Sequence, residues 1–92
     1  MNELHNHSTF RQFYDEFHSI FLYSFCDNRR KNVGVRESIN NAKKDVKKRL
    51  FNEMQTGQQH KKIVVCAYQT ICHDSKIVEK ALNYYKRMET IK

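Results

Sequence analysis

The sequence predicts an all-α fold, a compact bundle of about four amphipathic helices that forms one small helical domain, residues 1–92. Three observations lead to this prediction. The 92 residues include no proline and two glycines, so the residues that usually break helices are nearly absent. Apolar residues recur every three or four positions in several segments, which is the spacing of one helix face. A chain of this length can also close about one hydrophobic core.

The first helix is predicted from about residue 9 to residue 27. Ser8 and Thr9 precede its apolar pattern and are predicted to be N-caps, because their hydroxyl groups can accept hydrogen bonds from unpaired backbone amides. Glu16 falls on the opposite side of this helix and is predicted to be solvated. The pattern itself is a largely aromatic stripe at helical spacing, formed by Phe10, Phe13, Tyr14, Phe17, Ile20, Phe21 and Phe25.

A polar segment, residues 27–34, interrupts this pattern and contains Gly34, which can adopt a positive φ. It therefore predicts a loop with a basic tip. The second helix is predicted from about residue 35 to residue 55, with Gly57 as its C-terminal stop. The apolar face of this helix consists of Ile39, Ala42, Val46, Leu50 and Met54.

The segment 61–72 fits two structures. Its β-branched residues favour a strand, but a single strand would have no partner within this chain, so we predict a third helix. The alternative is an α+β fold with one strand near residues 62–72. Asp74 and Ser75 then offer an N-cap for a fourth helix, which is predicted to reach close to the C-terminus.

The basic residues of the middle of the chain are the main candidates for partner binding. The formal net charge is +7, yet residues 1–28 are net negative and residues 29–62 are strongly basic. Lysines four positions apart in the second helix form two adjacent cationic rows. The candidates are Arg29, Arg30, Lys31, Arg36, Lys43, Lys44, Lys47, Lys48 and Arg49.

Three function classes follow from this charge pattern. The first is a non-catalytic binding or inhibitory protein that docks on an acidic protein or ribonucleoprotein surface. The second is a nucleic-acid-binding regulator that contacts the phosphate backbone. The third is a pocket for a small anionic ligand, which would need an inward-facing Arg or Lys near Tyr68 or Tyr85. The alternative to all three classes is that the basic residues form an ordinary solvated face and bind no partner. The Asn- and Lys-rich composition is typical of a small phage or mobile-element protein.

Catalysis, metal binding and membrane insertion are not favoured. Cys66 and Cys72 lack the close pairing of a zinc site. The close spacing of His5 and His7 is attributed to chance, and no catalytic motif is present. We therefore predict no enzyme activity, cofactor or metal. The longest apolar run, residues 63–68, is far shorter than the roughly 20 residues that span a bilayer. An odd number of cysteines without a signal peptide predicts reduced thiols and a cytoplasmic location.

Surplus apolar side chains predict self-association. Leu22, Tyr23, Phe51 and Tyr84 lie outside the main apolar stripes, so they are candidates for a homodimer interface. In such a dimer, the acidic first helix of one subunit could cover the lysines of the other and mask the basic face.

Overall fold

The computed structural model describes residues 7–90, apart from the side chain of Thr90, and this part of the chain contains four α-helices. They are α1 (Ser8–Arg30), α2 (Val35–Gln55), α3 (Lys61–His73) and α4 (Ser75–Thr90). No strand occurs among the described residues. The predicted all-α bundle is confirmed, and the alternative strand near residues 62–72 is wrong because that segment lies within α3. No helix in residues 7–90 is long and apolar enough to span a membrane.

The longest helix, α1, packs against all three others. Its 23 residues span about 35 Å at 1.5 Å per residue, which accounts for most of the 42 Å length of the molecule. α2 returns antiparallel to α1. α3 runs in the same direction as α1, since the His7 ring lies 5.1 Å from that of His60 and the Phe17 ring lies 6.4 Å from that of Tyr68.

The core forms where the aromatic stripe of α1 meets smaller side chains of the other helices. Five phenylalanines of α1 are buried, and Phe17, Phe21 and Phe25 are fully enclosed. The partners are shorter residues at helical spacing, which allow the helices to approach the bulky rings closely. They are Ala42, Val46 and Leu50 of α2, Val64, Ala67 and Ile71 of α3, and Ile77 and Ala81 of α4.

The end of α1 differs from the sequence prediction. The helix continues to Arg30 rather than residue 27, so Arg29 and Arg30 are helical and do not belong to a loop. The chain reverses at Asn32, whose φ is +64°, whereas Gly34 has a φ of −57°. The amide of Asn32 donates to the Arg29 carbonyl at 3.0 Å and that of Val33 donates to the Asn28 carbonyl at 3.0 Å. These are the two bonds of a Schellman motif, which Asn can close in place of Gly.

Of the other helix ends, the start of α1 differs from the prediction, whereas the end of α2 and the start of α4 follow it. At the start of α1 the cap is His7, whose Nδ1 accepts from the Thr9 amide at 3.1 Å, so the predicted caps Ser8 and Thr9 are wrong and both residues are helical. Gly57, with a φ of +77°, follows the end of α2 as expected. Asp74 caps α4 by accepting from the amide of Lys76 at 2.9 Å.

We expect Phe17→Ala to lower the free energy of unfolding by about 3 to 5 kcal/mol, because it leaves a ring-sized cavity at a fully buried position. Chemical denaturation monitored by circular dichroism measures the change. Tyr23→Ala is the matched control, since Tyr23 lies on the same helix but is 76% exposed. A loss of stability that is equal in the two variants would contradict the role assigned to the α1 stripe.

Candidate partner-binding surface

One exposed stripe of α2 groups three lysines around an aromatic ring. Lys44, Lys47, Lys48 and Phe51 are all exposed and occupy positions i, i+3, i+4 and i+7, so they are neighbours on one helix face. We call these four residues the lysine face. They line a shallow depression of about 260 Å³. The lysine face points outward because Ala42, Val46 and Leu50 turn the other side of α2 into the core.

The ring of Phe51 is the element of this surface that the sequence analysis missed. Its side chain is 54% exposed, and the Nζ atom of Lys47 lies 5.7 Å from the ring centroid. This distance is within the range of a cation–π contact. The sequence placed Phe51 among the candidates for self-association. Its spacing of four and three residues from Lys47 and Lys48 is the signal that could have assigned it to the basic face.

The three lysines of this surface form no ion pair with any residue from 7 to 90. Their ammonium groups are therefore available to a partner, because each carries three hydrogen-bond donors that the rest of the described chain does not occupy. Lys43, on the edge of α2, is half-buried. Its positive charge acts to lower the pKa of the Cys72 thiol in α3. Arg36 is exposed in the first turn of α2, two turns before Lys44.

Arg49 is predicted as a binding residue, but in the structure it joins α1 to α2. Its Nε donates to Glu16 at 2.9 Å, its Nη1 donates to Glu53 at 2.7 Å, and its guanidinium lies 5.8 Å from the Phe13 ring centroid. The hydrogen bond with Glu53 raises the pKa of Arg49, and the same bond lowers the pKa of Glu53. Glu16 is therefore bonded within the chain, which corrects its assignment to a solvated face.

The cluster at the end of α1 is divided among internal contacts. The Nη1 atom of Arg29 donates to the Val33 carbonyl at 2.8 Å, and its guanidinium lies 5.7 Å from the ring centroid of Tyr85. Arg30 contacts the Met88 sulfur through Nη2 at 3.7 Å. The ammonium of Lys31 pairs with Asp27 at 3.0 Å. Arg29 thus has the position next to Tyr85 that a small-anion site would need, but it supports the α1–α2 turn.

The Cys72 thiol in α3 is half-buried. Burial raises the pKa of Cys72, outweighing Lys43 and Lys47, which act in the opposite direction. Burial also raises the pKa of the neighbouring Tyr68 to about 12. Among residues 7–90, no group of three or more His, Cys, Asp or Glu side chains could hold a metal ion, and His5 lies outside the described residues. The thiolate is the nucleophilic form of cysteine, and a raised pKa disfavours this form at Cys72.

Comparison of the chain with protein-family models, with curated proteins and with solved structures gives no match.

We expect Arg49→Gln to lower the free energy of unfolding by about 1 to 2 kcal/mol, because it breaks the charged hydrogen bonds to Glu16 of α1 and Glu53 of α2, which are only partly exposed to solvent. Lys48→Gln, at the neighbouring exposed position, should change it by no more than about 0.5 kcal/mol. Urea denaturation of both variants measures the difference. If Lys48→Gln were the more destabilising change, the division between structural and exposed cations would be wrong.

Proposed function

We propose that this protein is a non-catalytic binding protein that docks on an acidic surface of a protein or ribonucleoprotein through the lysine face of α2. The observation that carries the proposal is the grouping of Lys44, Lys47 and Lys48 without an acidic partner among the described residues. Such a protein acts by occupying its partner, so inhibition of the partner is the expected activity. A phage or mobile-element origin stays a prediction from the composition.

The shape of the lysine face supports this mode of binding. Lysines are strongly hydrated, and at an interface they contribute mainly to association rate and orientation. An exposed aromatic ring supplies the apolar contact area that charge alone lacks, and aromatic residues are enriched in the cores of interfaces. Phe51 has this position beside Lys47. A rigid helix presents all four side chains, so little backbone ordering is needed when the partner binds.

The charge of the whole chain acts in the same direction. The net charge of +7 attracts an acidic partner from a distance of about one Debye length, roughly 8 Å at physiological ionic strength. Arg49 and Lys31 contribute less at short range because each is paired with a carboxylate. The lysine face is therefore the place where the long-range attraction can be converted into direct contacts.

We expect Lys44→Glu, Lys47→Glu and Lys48→Glu combined to weaken binding of fluorescent poly-L-glutamate, a substitute for an acidic protein surface, by at least tenfold at low salt. The reason is that three attractive contacts become repulsive. Fluorescence anisotropy at two salt concentrations measures the affinity, and the wild-type affinity should fall as salt is raised.

The matched control for this variant is Lys61→Glu, Lys62→Glu and Lys76→Glu combined. These lysines are also exposed, and the change in net charge is identical. The control should retain most of the wild-type affinity. Equal losses in the two triple variants would mean that net charge alone drives binding, which would contradict a localised site. Absence of binding by the wild type at low salt would reject the proposed acidic partner.

A second candidate function is nucleic-acid binding, and the exposure of Phe51 is the observation that favours it. Proteins that bind single strands combine cations for the phosphates with aromatic rings on which bases stack. Phe51 lies next to Lys47 and Lys48 in this arrangement. The ring is 54% exposed, so a base could cover its free surface without any rearrangement of the core.

If this second function is correct, Phe51→Ala should weaken binding of a labelled single-stranded oligoribonucleotide by roughly five- to 150-fold. This corresponds to the loss of about 1 to 3 kcal/mol of base stacking. Phe51→Tyr should retain the wild-type RNA affinity, because it keeps an aromatic face. Tyr23→Ala, which removes an exposed ring from α1, serves as the control. If Phe51→Ala left RNA affinity unchanged, the stacking role would be excluded.

A further inference from the structure

A second exposed surface lies between α1 and α4. Leu22 and Tyr23 of α1 and Tyr84 and Met88 of α4 form its apolar walls around a groove of about 420 Å³, and the buried Cys26 contributes to its floor. Tyr23 is 76% exposed and Tyr84 is 46% exposed, so neither ring is used by the core. We call this surface the α1–α4 groove. Three of the four side chains assigned to self-association from sequence meet here, whereas Phe51 belongs to α2.

The groove lies on a different side of α1 from α2, the helix that carries the lysine face. Ser24 and Asn28 bond to α2, and at 3.6 residues per turn they point about 100° to 160° away from Leu22 and Tyr23. The two surfaces therefore involve different elements, and a ligand of one need not contact the other.

The rim of the groove is cationic. Arg30 lines the main depression, and Lys80 and Arg87 line an adjoining depression of about 250 Å³ that shares Leu22 and Tyr84 with it. Among residues 7–90, no Asp or Glu lines either depression. The groove thus combines an apolar strip with positive charge at its edges, which is the complement of a ligand that is apolar on one face and acidic on the flanks.

This charge pattern argues against a second copy of the chain as the occupant. In a two-fold dimer the same patch faces itself, so the basic rims containing Arg30 and Lys80 would meet across the interface. Like charges brought together at an interface cost several kcal/mol. An acidic partner gains attraction from the same rim residues. Binding of an acidic partner to Leu22, Tyr23 and Tyr84 is therefore more favourable than the predicted homodimer.

The dimensions of the groove fit a short helix. From Ser19 to Arg30, α1 contributes about 16 Å of wall, which is about three turns of a ligand helix at 5.4 Å per turn. Amphipathic helices bind apolar grooves through anchors at i, i+3, i+4 and i+7, and this pattern needs about two turns of contact. Exposed tyrosines are suited to such sites because they bury a large area with few rotatable bonds.

We propose that the α1–α4 groove binds an acidic amphipathic helix of a partner protein, with Leu- or Phe-type anchors between Tyr23 and Tyr84 and carboxylates at Arg30 and Lys80. This site is additional to the lysine face, so the protein has two docking surfaces. Burial raises the pKa of Cys26 on the floor, which keeps the thiol neutral and compatible with apolar anchors.

The test is an NMR titration of the ¹⁵N-labelled protein with a synthetic helical peptide that has Leu at the four anchor positions and Glu on the flanks. Saturable amide shifts should map to α1 and α4 around Leu22, Tyr23 and Tyr84. A scrambled peptide of the same composition and a peptide with Lys in place of Glu should each bind at least tenfold more weakly. Shifts confined to α2, or equal binding of the scrambled peptide, would overturn the proposal.

The variants separate this site from the lysine face. Tyr23→Ala with Tyr84→Ala, and Arg30→Glu with Lys80→Glu, should each weaken peptide binding at least tenfold, and circular dichroism should show that they fold. Phe51→Ala should bind the peptide with wild-type affinity, and the Lys44, Lys47, Lys48 triple variant should bind it as tightly as the Lys61, Lys62, Lys76 triple variant, which has the same net charge, even if poly-L-glutamate binding is lost. Failure of that expectation would assign the peptide to the lysine face. A dimer in sedimentation equilibrium that Tyr23→Ala dissociates would assign the groove to self-association instead.

Discussion

The burial of one continuous aromatic stripe on α1 is the constraint from which the rest of the structure follows. Phe10, Phe13, Phe17, Phe21 and Phe25 expose too much apolar area for any single neighbouring helix to cover. α1 therefore packs against all three other helices, α2, α3 and α4. Each full burial of such a side chain contributes about 1.5 to 3 kcal/mol, which is large against the total stability expected for a small domain. The short side chains facing this stripe allow three helices to pack against one.

Polar contacts fix how α2 sits on α1 once the apolar surfaces have met. The Ser24 hydroxyl donates to Asp45 at 2.6 Å, and the Asn41 amide donates to the side-chain oxygen of Asn28 at 2.8 Å. Arg49 adds its bonds to Glu16 near the other end. Apolar stripes alone tolerate sliding and rotation, but buried or half-buried polar groups left unpaired are costly. These pairs therefore hold Lys44, Lys47 and Lys48 on the outward side of α2.

Tyr23, Phe51 and Tyr84, three exposed aromatic side chains that the core does not use, lie in two surfaces of different chemistry. The lysine face is a cationic stripe with one ring at its end, whereas the α1–α4 groove is an apolar strip with cations at its rim. The cations on both surfaces are the basis of the two docking sites that we propose, each for an acidic partner. A binding protein that acts by occupancy is consistent with this division, because its specificity depends on shape and charge rather than on a reactive centre.

Local sequence patterns determined most of the secondary structure of this protein. The spacing of the α1 phenylalanines, the Gly57 stop and the Asp74 cap each act within a few residues of the chain, so periodicity and capping rules recovered them. The end of α1 was predicted too early because the turn residue is Asn32 and not Gly34. A positive φ in Asn has a weaker sequence signal than one in Gly.

Only the tertiary structure decided which basic and aromatic residues are available to a partner. The sequence treated Lys48 and Arg49 alike, yet adjacent positions on a helix point about 100° apart, and Arg49 faces Glu16 of α1 while Lys48 faces solvent. Likewise, Leu22, Tyr23 and Tyr84 form one groove because α4 packs beside α1, and Phe51 joins the lysines instead. Availability depends on contacts between residues that are distant in sequence, and no local pattern contains that information.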